Sequence, residues 1–251
     1  MRQWLDPFRA RLDSTSSPMT FFFRDDDGGW EDERLFELIE VFGARTMPVT
    51  LAVIPSAMQD TVARRLGAVM DGAPRLVQVH QHGFAHVNHE PHGRKCEFGA
   101  SRPAAAQRLD IEQGQARLAD LFGPRVRSMF TPPWNRCTRA TADCLVELGF
   151  SVLSRDAGAA RFEVPALAEL PVRWDWFAHR HHERLAPDAA GLSLAAAATS
   201  GEPTGIMLHH ARMDETERRR LGELLDVLAH PNARVQTMWE VAEGTLHVST
   251  S

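Results

Sequence analysis

Residues 21–29 read Phe21-Phe22-Phe23-Arg24-Asp25-Asp26-Asp27-Gly28-Gly29. Three aromatic residues followed by three acids and two glycines are typical of a buried strand that leaves the core and ends in a turn. Adjacent carboxylates repel one another, so a fold keeps three together only where solvent, a cation or a proton-accepting role relieves the repulsion. The stretch therefore predicts a metal site at the end of a strand.

Histidines that could complete such a site follow the third predicted strand. The sequence there reads His80-Gln81-His82-Gly83-Phe84-Ala85-His86. If this segment turns helically, His82 and His86 stand at i and i+4 and can reach one ion. His80, at the strand end, is either a third ligand or a group that supports the ligands. One acid with two imidazoles leaves coordination positions open, which is typical of a catalytic site.

Strand and helix signals alternate along the rest of the chain, which predicts an α/β fold with a parallel sheet. At 251 residues we expect a distorted (β/α)7–8 barrel, with an open doubly wound sheet as the alternative. No repeat, linker or composition shift divides the chain, so one domain is predicted over 1–251, with its core at about 20–243. Predicted strands after the first are 48–54, 76–79, 126–130, 150–153, 170–172, 205–208 and 234–237; predicted helices are 31–42, 61–70, 104–122, 138–148, 189–198 and 215–229.

In a β/α barrel, the loops after the C-terminal ends of the strands converge on one mouth. Conspicuous polar groups follow predicted strands in this chain, and ten of its twelve histidines lie in three clusters, which scattered surface histidines would not do. These positions predict one shared site. The groups are Asp25 to Asp27, His80 to His86, Pro132 to Asn135, Trp174-Asp175-Trp176 and His209-His210, and the histidine clusters are 80–92, 179–182 and 209–210.

The polar segment 81–102 is longer than an ordinary connection, which is typical of a functional loop. Within it, Glu97 and Arg102 flank Gly99. They either pair with each other to order the loop or contact a substrate, and their spacing does not choose between the two.

Charge and cysteine content exclude some classes of protein. The net charge is −5 and no basic run is interleaved with aromatics, so we expect no nucleic-acid partner. Three cysteines without Cys-x-x-Cys spacing predict reduced thiols. The N-terminal residues lack the apolar stretch of a secretory signal and no run is long enough to span a membrane, so a cytoplasmic protein without a membrane partner is expected.

Five stretches, taken in order, resemble the five motifs of the metal-dependent polysaccharide deacetylases, which form carbohydrate esterase family 4 and contain the NodB-homology domain. The likeness covers roughly 20–243, and the ordered set is more specific than any one motif. The stretches are Phe23-Arg24-Asp25-Asp26-Asp27-Gly28, His82-x-x-x-His86, Pro132-Pro133-Trp134, Trp174-Asp175-Trp176 and Leu208-His209-His210.

This resemblance implies roles for the acids and the first histidines. In the family's first motif, one acid is the catalytic base and the next binds the metal, before a glycine. Matching that glycine to Gly28 makes Asp26 the base and Asp27 the ligand, whereas a slip of one residue would make them Asp25 and Asp26. The His-x-x-x-His pair implies His82 and His86 as the other metal ligands.

The resemblance also implies roles for residues later in the chain. Trp134, with its neighbours Pro133 and Asn135, would contact substrate, and the Trp134 N–H would help form an oxyanion hole. The late histidine acid matches His209, with His210 as the close competitor. The family's third motif usually starts with an arginine that pairs with the fourth-motif acid. Phe130-Thr131 stand in its place, which puts in doubt whether Asp175 tunes the catalytic histidine.

The expected function is metal-dependent hydrolysis of C–N amide bonds, most directly removal of an acetyl group from an N-acetylated sugar or a related small amide. The ion would be zinc, with cobalt, nickel or manganese as alternatives. Missing export features favour a small-molecule or carbohydrate substrate over a cell-wall polymer. The alternatives are a ring-opening amidase of the allantoinase type and a non-catalytic carbohydrate-binding homologue. A non-haem iron oxygenase uses a similar triad but does not fit the ligand spacing.

Overall fold

The computed structural model describes residues 3–180, 183–199 and 201–248. It contains one large sheet, in which the described pairings are all parallel, and a separate two-stranded antiparallel hairpin formed by β8 and β9. In chain order the strands are β1 (Met19–Gly28), β2 (Val49–Val53), β3 (Val77–His82), β4 (Val126–Thr131), β5 (Val152–Leu153), β6 (Ala168–Glu169), β7 (Val172–Asp175), β8 (His179–Arg180), β9 (Glu183–Arg184), β10 (Thr204–Leu208) and β11 (Ala233–Val235).

The large sheet runs in the order β6-β5-β4-β3-β2-β1-β10-β7, and β11 pairs with the start of β1. The sheet curls until its two ends approach each other, because Val172 at the start of β7 forms a parallel bridge with Asp156, just beyond β5. Two backbone hydrogen bonds support this bridge, from Val172 N–H to the Arg155 carbonyl and from Ala157 N–H to the Val172 carbonyl. The fold is therefore a distorted β/α barrel.

Helices cover the outer face of the barrel. Strand β1 is an inner strand of the sheet, between β2 and β10. Phe21 and Phe23 point into the larger apolar core, while Phe22 points into a smaller one, as expected from the two-residue period of a strand. The helices are α1 (Asp6–Asp13), α2 (Asp32–Gly43), α3 (Asp60–Gly72), α4 (Ala104–Phe122), α5 (Arg139–Glu147), α6 (Pro187–Ala197), α7 (Glu215–Leu228) and α8 (Met238–Val248).

The predicted fold class is confirmed, and the helix predicted at 104–122 has the observed bounds. Four strand predictions had bounds that were wrong by two or three residues; the strand predicted at 76–79 continues to His82, and the one predicted at 234–237 ends at Val235. The strand predicted at 150–153 is paired only at Val152–Leu153, and the one predicted at 170–172 instead runs over Val172–Asp175. Strand β1 also continues through the acids to Gly28: β10 pairs with it as far as Asp25, and β2 pairs with it at Arg24, Asp25 and Gly28.

Two helices were not predicted. Helix α1 has only two buried side chains, Phe8 and Leu12, so its periodic signal is short. Helix α8 follows β11 almost directly, and its packing against β1 and β6 stabilises it. Within the described part of the chain, no helix has the length and apolar character needed to cross a membrane.

Candidate active site

The three consecutive acids of β1 have three different partners. Asp25 is fully buried against His210, Asp26 is buried against Arg24, and the side chain of Asp27 lies beside two histidines. Successive side chains of a strand point to opposite faces, so neighbouring carboxylates reach separate surroundings. The repulsion expected for three adjacent acids is thereby relieved by three separate cationic or polar neighbours.

Asp27, His82 and His86 form a compact group with one potential ligand atom from each residue, and these atoms all lie within 4.8 Å of one another. Asp27 Oδ1 is 3.3 Å from Nε2 of each histidine. Two atoms bonded to one ion at about 2.1 Å and a tetrahedral angle stand about 3.4 Å apart, so these separations suit a shared ion. The three residues predicted as metal ligands therefore lie together in the structure.

The chemistry of the donor set also fits a divalent cation. Asp27 Oδ1 is buried without a hydrogen-bond partner. Although burial alone would raise the pKa of Asp27, its contacts with His82 and His86 hold it well below the usual range, so the carboxyl group is ionised. His82 Nδ1 is 3.0 Å from the Thr131 carbonyl and can donate its proton there, so Nε2, which faces Asp27, is the nitrogen whose proton a cation would replace.

The turn between the two histidines is not helical, so the predicted helical spacing was wrong. Strand β3 ends at His82, and the backbone then turns sharply, with φ of 54° at Gly83 and 56° at His86. A β-carbon on Gly83 would stand 2.1 Å from Glu97 Oε2 and 2.6 Å from the ring of Pro133. Only glycine fits this close approach, and the resulting turn brings His86 back beside His82.

Backbone strain is concentrated around this group. Eight non-glycine residues of the described chain have positive φ, and four of them are Asp27, His86, Trp134 and Asn135, with φ of 69°, 56°, 55° and 59°. Such conformations are unfavourable for residues with a β-carbon and persist where the surrounding structure enforces them, often at functional sites. All four of these residues were site candidates from the sequence.

Asp26 is held by a fully buried guanidinium. Arg24 Nε donates to Asp26 Oδ1 at 2.8 Å and Nη2 donates to Oδ2 at 2.9 Å. The same guanidinium donates to Ser154 Oγ and Asn135 Oδ1, each at 2.7 Å. Burial alone would raise the pKa of Asp26, but the Arg24 charge, with those of His82 and His209, holds it below the usual value.

The two late histidines differ in their surroundings. His210 is fully buried, with Nδ1 at 2.6 Å from Asp25 Oδ2 and Nε2 at 2.7 Å from the Trp30 carbonyl, so both ring nitrogens are occupied. His209 is only partly buried, and its Nδ1 has no hydrogen-bond partner. It lies close enough to Asp26 and Asp27 for its charge to lower the pKa of both. Of these two histidines, only His209 has a ring nitrogen without a hydrogen-bond partner.

Comparison with known proteins supports the fold of this chain and not its activity. No protein family model and no curated protein matches the sequence. Solved structures match over most of the chain. The chain has the fold of the polysaccharide deacetylases. A putative polysaccharide deacetylase from Mycobacterium smegmatis has a TM-score of 0.65 at 15% identity, with 94% of this chain and 93% of that chain covered.

Two further structures show that both an enzyme and a pseudoenzyme have the polysaccharide deacetylase fold. A family 4 acetyl xylan esterase from Clostridium thermocellum, in complex with a cobalt ion, has a TM-score of 0.62 at 12% identity, covering 88% of this chain and 89% of that chain. A family 4 pseudoenzyme from Bacillus anthracis has a TM-score of 0.63 at 12% identity, covering 91% and 66%. The fold alone therefore does not decide whether this chain is active.

On this deacetylase fold, the third-motif residues lie next to the residues predicted as metal ligands. The Trp134 ring lies against the His86 ring, with centroids 4.4 Å apart, and Trp30 lies against the same histidine at 4.8 Å. Pro133 is buried, and Asn135 accepts its hydrogen bond from Arg24. The predicted substrate and oxyanion residues are thus brought to the candidate centre.

Other candidates are bonded within their own segment or buried inside the protein. Asp175 Oδ1 accepts a hydrogen bond from the Phe177 N–H at 2.8 Å. Trp174 and Trp176 are buried in the polysaccharide deacetylase fold rather than lining its mouth. His80 is fully buried with Nε2 at 2.8 Å from Thr131 Oγ1, and burial lowers its pKa to about 3, so the ring is neutral. His181 and His182 of the second histidine cluster lie outside the described residues.

Sequence reasoning gave no role to Arg24 and left that of Glu97 open. Arg24 is two residues before Asp26 and therefore on the same strand face, a signal that could have identified the pair. In the structure Arg102 forms an ion pair with Asp110 at 2.7 Å, so it is not the partner of the Glu97 carboxylate. Glu97 instead accepts hydrogen bonds from the histidine turn, at Phe84 N–H and Ala85 N–H.

Proposed function

We propose that this protein is a metal-dependent hydrolase of C–N amide bonds that removes the acetyl group from an N-acetylated sugar or a related small amide. The observation that carries the proposal is the convergence of Asp27, His82 and His86, whose ligand atoms lie within 4.8 Å of one another. One carboxylate and two imidazoles leave positions open for water and substrate.

The proposed ion is zinc, and cobalt, nickel or manganese would suit the same donors. A bound divalent ion would lower the pKa of a water ligand to about 7 and polarise the substrate carbonyl. Asp27, His82 and His86 would hold it. The buried ionised carboxylate of Asp27 supplies the negative charge that attracts the cation.

Asp26 is proposed as the catalytic base. Arg24 occupies one site on each of its oxygens, and a carboxylate has further lone pairs with which to accept a proton from water. The low pKa keeps Asp26 ionised at neutral pH. Arg24 also fixes the orientation of the carboxylate, which makes Arg24 a positioning residue for the base.

His209 is proposed as the acid that protonates the leaving nitrogen. Its ring has a free nitrogen and lies within electrostatic reach of Asp26 and Asp27. The Trp134 N–H is proposed to stabilise the negative charge that develops on the carbonyl oxygen of the acetyl group when water adds to its carbon. The Trp30 side chain is 40% exposed beside His86, and its indole offers an apolar face for a sugar ring.

The test is acetate release by zinc-loaded protein from N-acetylglucosamine and its short oligomers, with allantoin as the cyclic amide for comparison. We expect acetate release that is lost with a chelator and regained with zinc. Asp26→Asn should retain zinc and lose activity by about 10²- to 10⁴-fold. Zinc-dependent opening of allantoin without acetate release would favour the ring-opening alternative. Sugar binding that Asp26→Asn leaves unchanged, with no turnover, would identify a non-catalytic homologue.

A further inference from the structure

The turn between His82 and His86 is bonded to one buried acid from a later part of the chain, Glu97. Glu97 is fully buried, and its two carboxylate oxygens accept hydrogen bonds from successive backbone amides of this turn. Oε1 is 2.8 Å from Ala85 N, and Oε2 is 3.2 Å from Phe84 N. The carboxylate therefore satisfies two donors that lie between His82 and His86.

The turn depends on this acid because the turn has no helical hydrogen bonds of its own. Gly83 and His86 both have positive φ, so the segment is neither helix nor strand. Its other described anchors are three hydrogen bonds: Gly83 N–H to the Thr131 carbonyl at 3.0 Å, Gln81 Nε2 to the Gly83 carbonyl at 2.9 Å and Ser56 N–H to the Phe84 carbonyl at 3.1 Å. Without Glu97, the two amides would lose their acceptors.

The backbone next to Glu97 is bonded to the segment that follows β4. Phe98 forms a parallel bridge with Cys137, and Thr138 N–H donates to the Phe98 carbonyl at 3.2 Å. Arg102 Nη1 donates to the Glu97 carbonyl at 3.4 Å. The carboxylate thus links the histidine turn after β3 to the segment after β4, which also carries Trp134.

We propose that Glu97 is a positioning residue for the metal centre, which holds His86 at the distance from Asp27 that a shared ion requires. It acts through the backbone of the turn and touches neither the ion nor the substrate. This inference rests on the proposed function, because it takes Asp27, His82 and His86 to be metal ligands. Residues that orient metal ligands typically change metal affinity by about 10- to 100-fold when substituted.

The test is zinc affinity of the metal-free full-length chain, measured by calorimetry for the wild type, Glu97→Gln and Glu97→Ala. Glutamine retains one acceptor, so we expect it to bind zinc several-fold more weakly, and we expect alanine to lose about 10- to 100-fold. The visible spectrum of bound cobalt should also change in both variants, because it reports ligand geometry. Circular dichroism and thermal unfolding verify that each variant is folded.

Glu169→Gln is the matched control. Glu169 Oε1 likewise accepts hydrogen bonds from two successive backbone amides, those of Phe162 at 2.6 Å and Glu163 at 3.3 Å, in a loop that supplies none of the proposed ligands. This variant should lose stability and keep wild-type zinc affinity and cobalt spectrum.

Three outcomes are distinguishable. Wild-type zinc affinity and cobalt spectrum in folded Glu97→Gln would overturn the role of Glu97, even if Glu97→Ala fails to fold. Equal loss of zinc affinity in Glu169→Gln would overturn it too, because the effect would then be one of general stability. If the wild type binds no zinc, or binds it no better than Asp27→Asn, the proposed metal centre fails and the Glu97 proposal with it.

Discussion

At the residue scale, chemically identical side chains have acquired different properties from their surroundings. Asp25, Asp26 and Asp27 are consecutive, yet one faces a histidine, one an arginine and one a pair of histidines. His209 and His210 are also adjacent, but only His210 has both ring nitrogens bonded. Burial and partners, rather than residue type, separate a structural pair from a group available for catalysis.

Substitution of His209 should therefore reduce activity, whereas substitution of His210 should reduce stability. His209→Gln is expected to keep wild-type stability and lose acetate release by about 10²- to 10⁴-fold, because it removes the proposed acid. His210→Gln is expected to lower the free energy of unfolding by about 3 kcal/mol, because it leaves the buried Asp25 carboxylate without its charged partner. Urea unfolding and acetate assays on both variants test this. A stable but inactive His210→Gln beside an active His209→Gln would reverse the assignment.

The Asp25–His210 pair should also make stability depend on pH. Burial alone would lower the pKa of His210, but the Asp25 carboxylate raises it to about 9. A histidine whose pKa is higher in the folded state contributes its full stability below its unfolded pKa of about 6.5 and loses that contribution as the pH rises through about 9. We expect the metal-free wild type to lose on the order of 2 kcal/mol between pH 6.5 and 9.5.

The measurement is urea unfolding of the metal-free chain at both pH values, with His210→Gln as the reference because glutamine does not titrate in this range. The difference between wild type and variant isolates His210 from other groups. An equal pH dependence in the two proteins would show that folding does not raise the pKa of His210.

At the element scale, one glycine sets how closely helix α4 approaches strand β3. A β-carbon on Gly114 would stand 2.3 Å from Gln81 Nε2 and 3.0 Å from Pro55 Cγ. Gln81 Nε2 in turn donates to the Ile111 and Gly83 carbonyls, at 3.0 Å and 2.9 Å. The helix thus supports the end of the strand that carries His82, the first of the two histidines proposed as metal ligands.

Gly114→Ala should destabilise the protein even though alanine favours helix. We expect a loss of about 1 to 3 kcal/mol from overpacking against Gln81. Gly67→Ala in α3 is the control, because nothing lies within 4 Å of its added β-carbon, and it should gain about 0.5 to 1 kcal/mol from helix propensity. Urea unfolding of both variants gives the values. A stabilised Gly114→Ala would mean that the helix shifts without cost.

At the scale of the whole molecule, the candidate site joins segments that are distant in sequence. The ends of β1, β3, β4 and β10 supply the acids, the first histidine pair, the aromatic turn and the late histidines. Parallel neighbours in one curled sheet bring these ends to one rim. Because Asp27, His82 and His86 come together only when these strands are assembled, metal binding should be linked to folding.

Zinc should therefore stabilise the folded chain. At a free concentration 100 times the dissociation constant, a ligand that binds only the native state adds about 2.7 kcal/mol, which corresponds to a rise in melting temperature of about 5 to 10 °C for a protein of this size. Differential scanning fluorimetry with zinc and with a chelator measures this rise. Asp27→Ala should show none of it, and an equal shift in that variant would place the zinc elsewhere.

Much of the site could be predicted from the sequence because its chemistry lies at the ends of predicted strands. The acids after Phe23, the histidines at the end of β3 and the turn at Trp134 all have local signals. The contribution of Glu97 could not be predicted, because its bonds to Phe84 and Ala85 cross a loop with no periodic pattern. The helical spacing of the histidines was wrong because a close approach of Glu97 and Pro133 to Gly83 dictates a different turn.

The sequence by itself determined the alternation of strands and helices, and hence a parallel barrel with its polar groups at one rim. Only the tertiary structure decided which acid stands beside the histidines and which histidine keeps a free nitrogen. The physical reason is that hydrophobic periodicity is local and is encoded residue by residue. The partner of a buried charge is set by chain segments that meet only after folding, as Arg24 meets Ser154 and Asp25 meets His210.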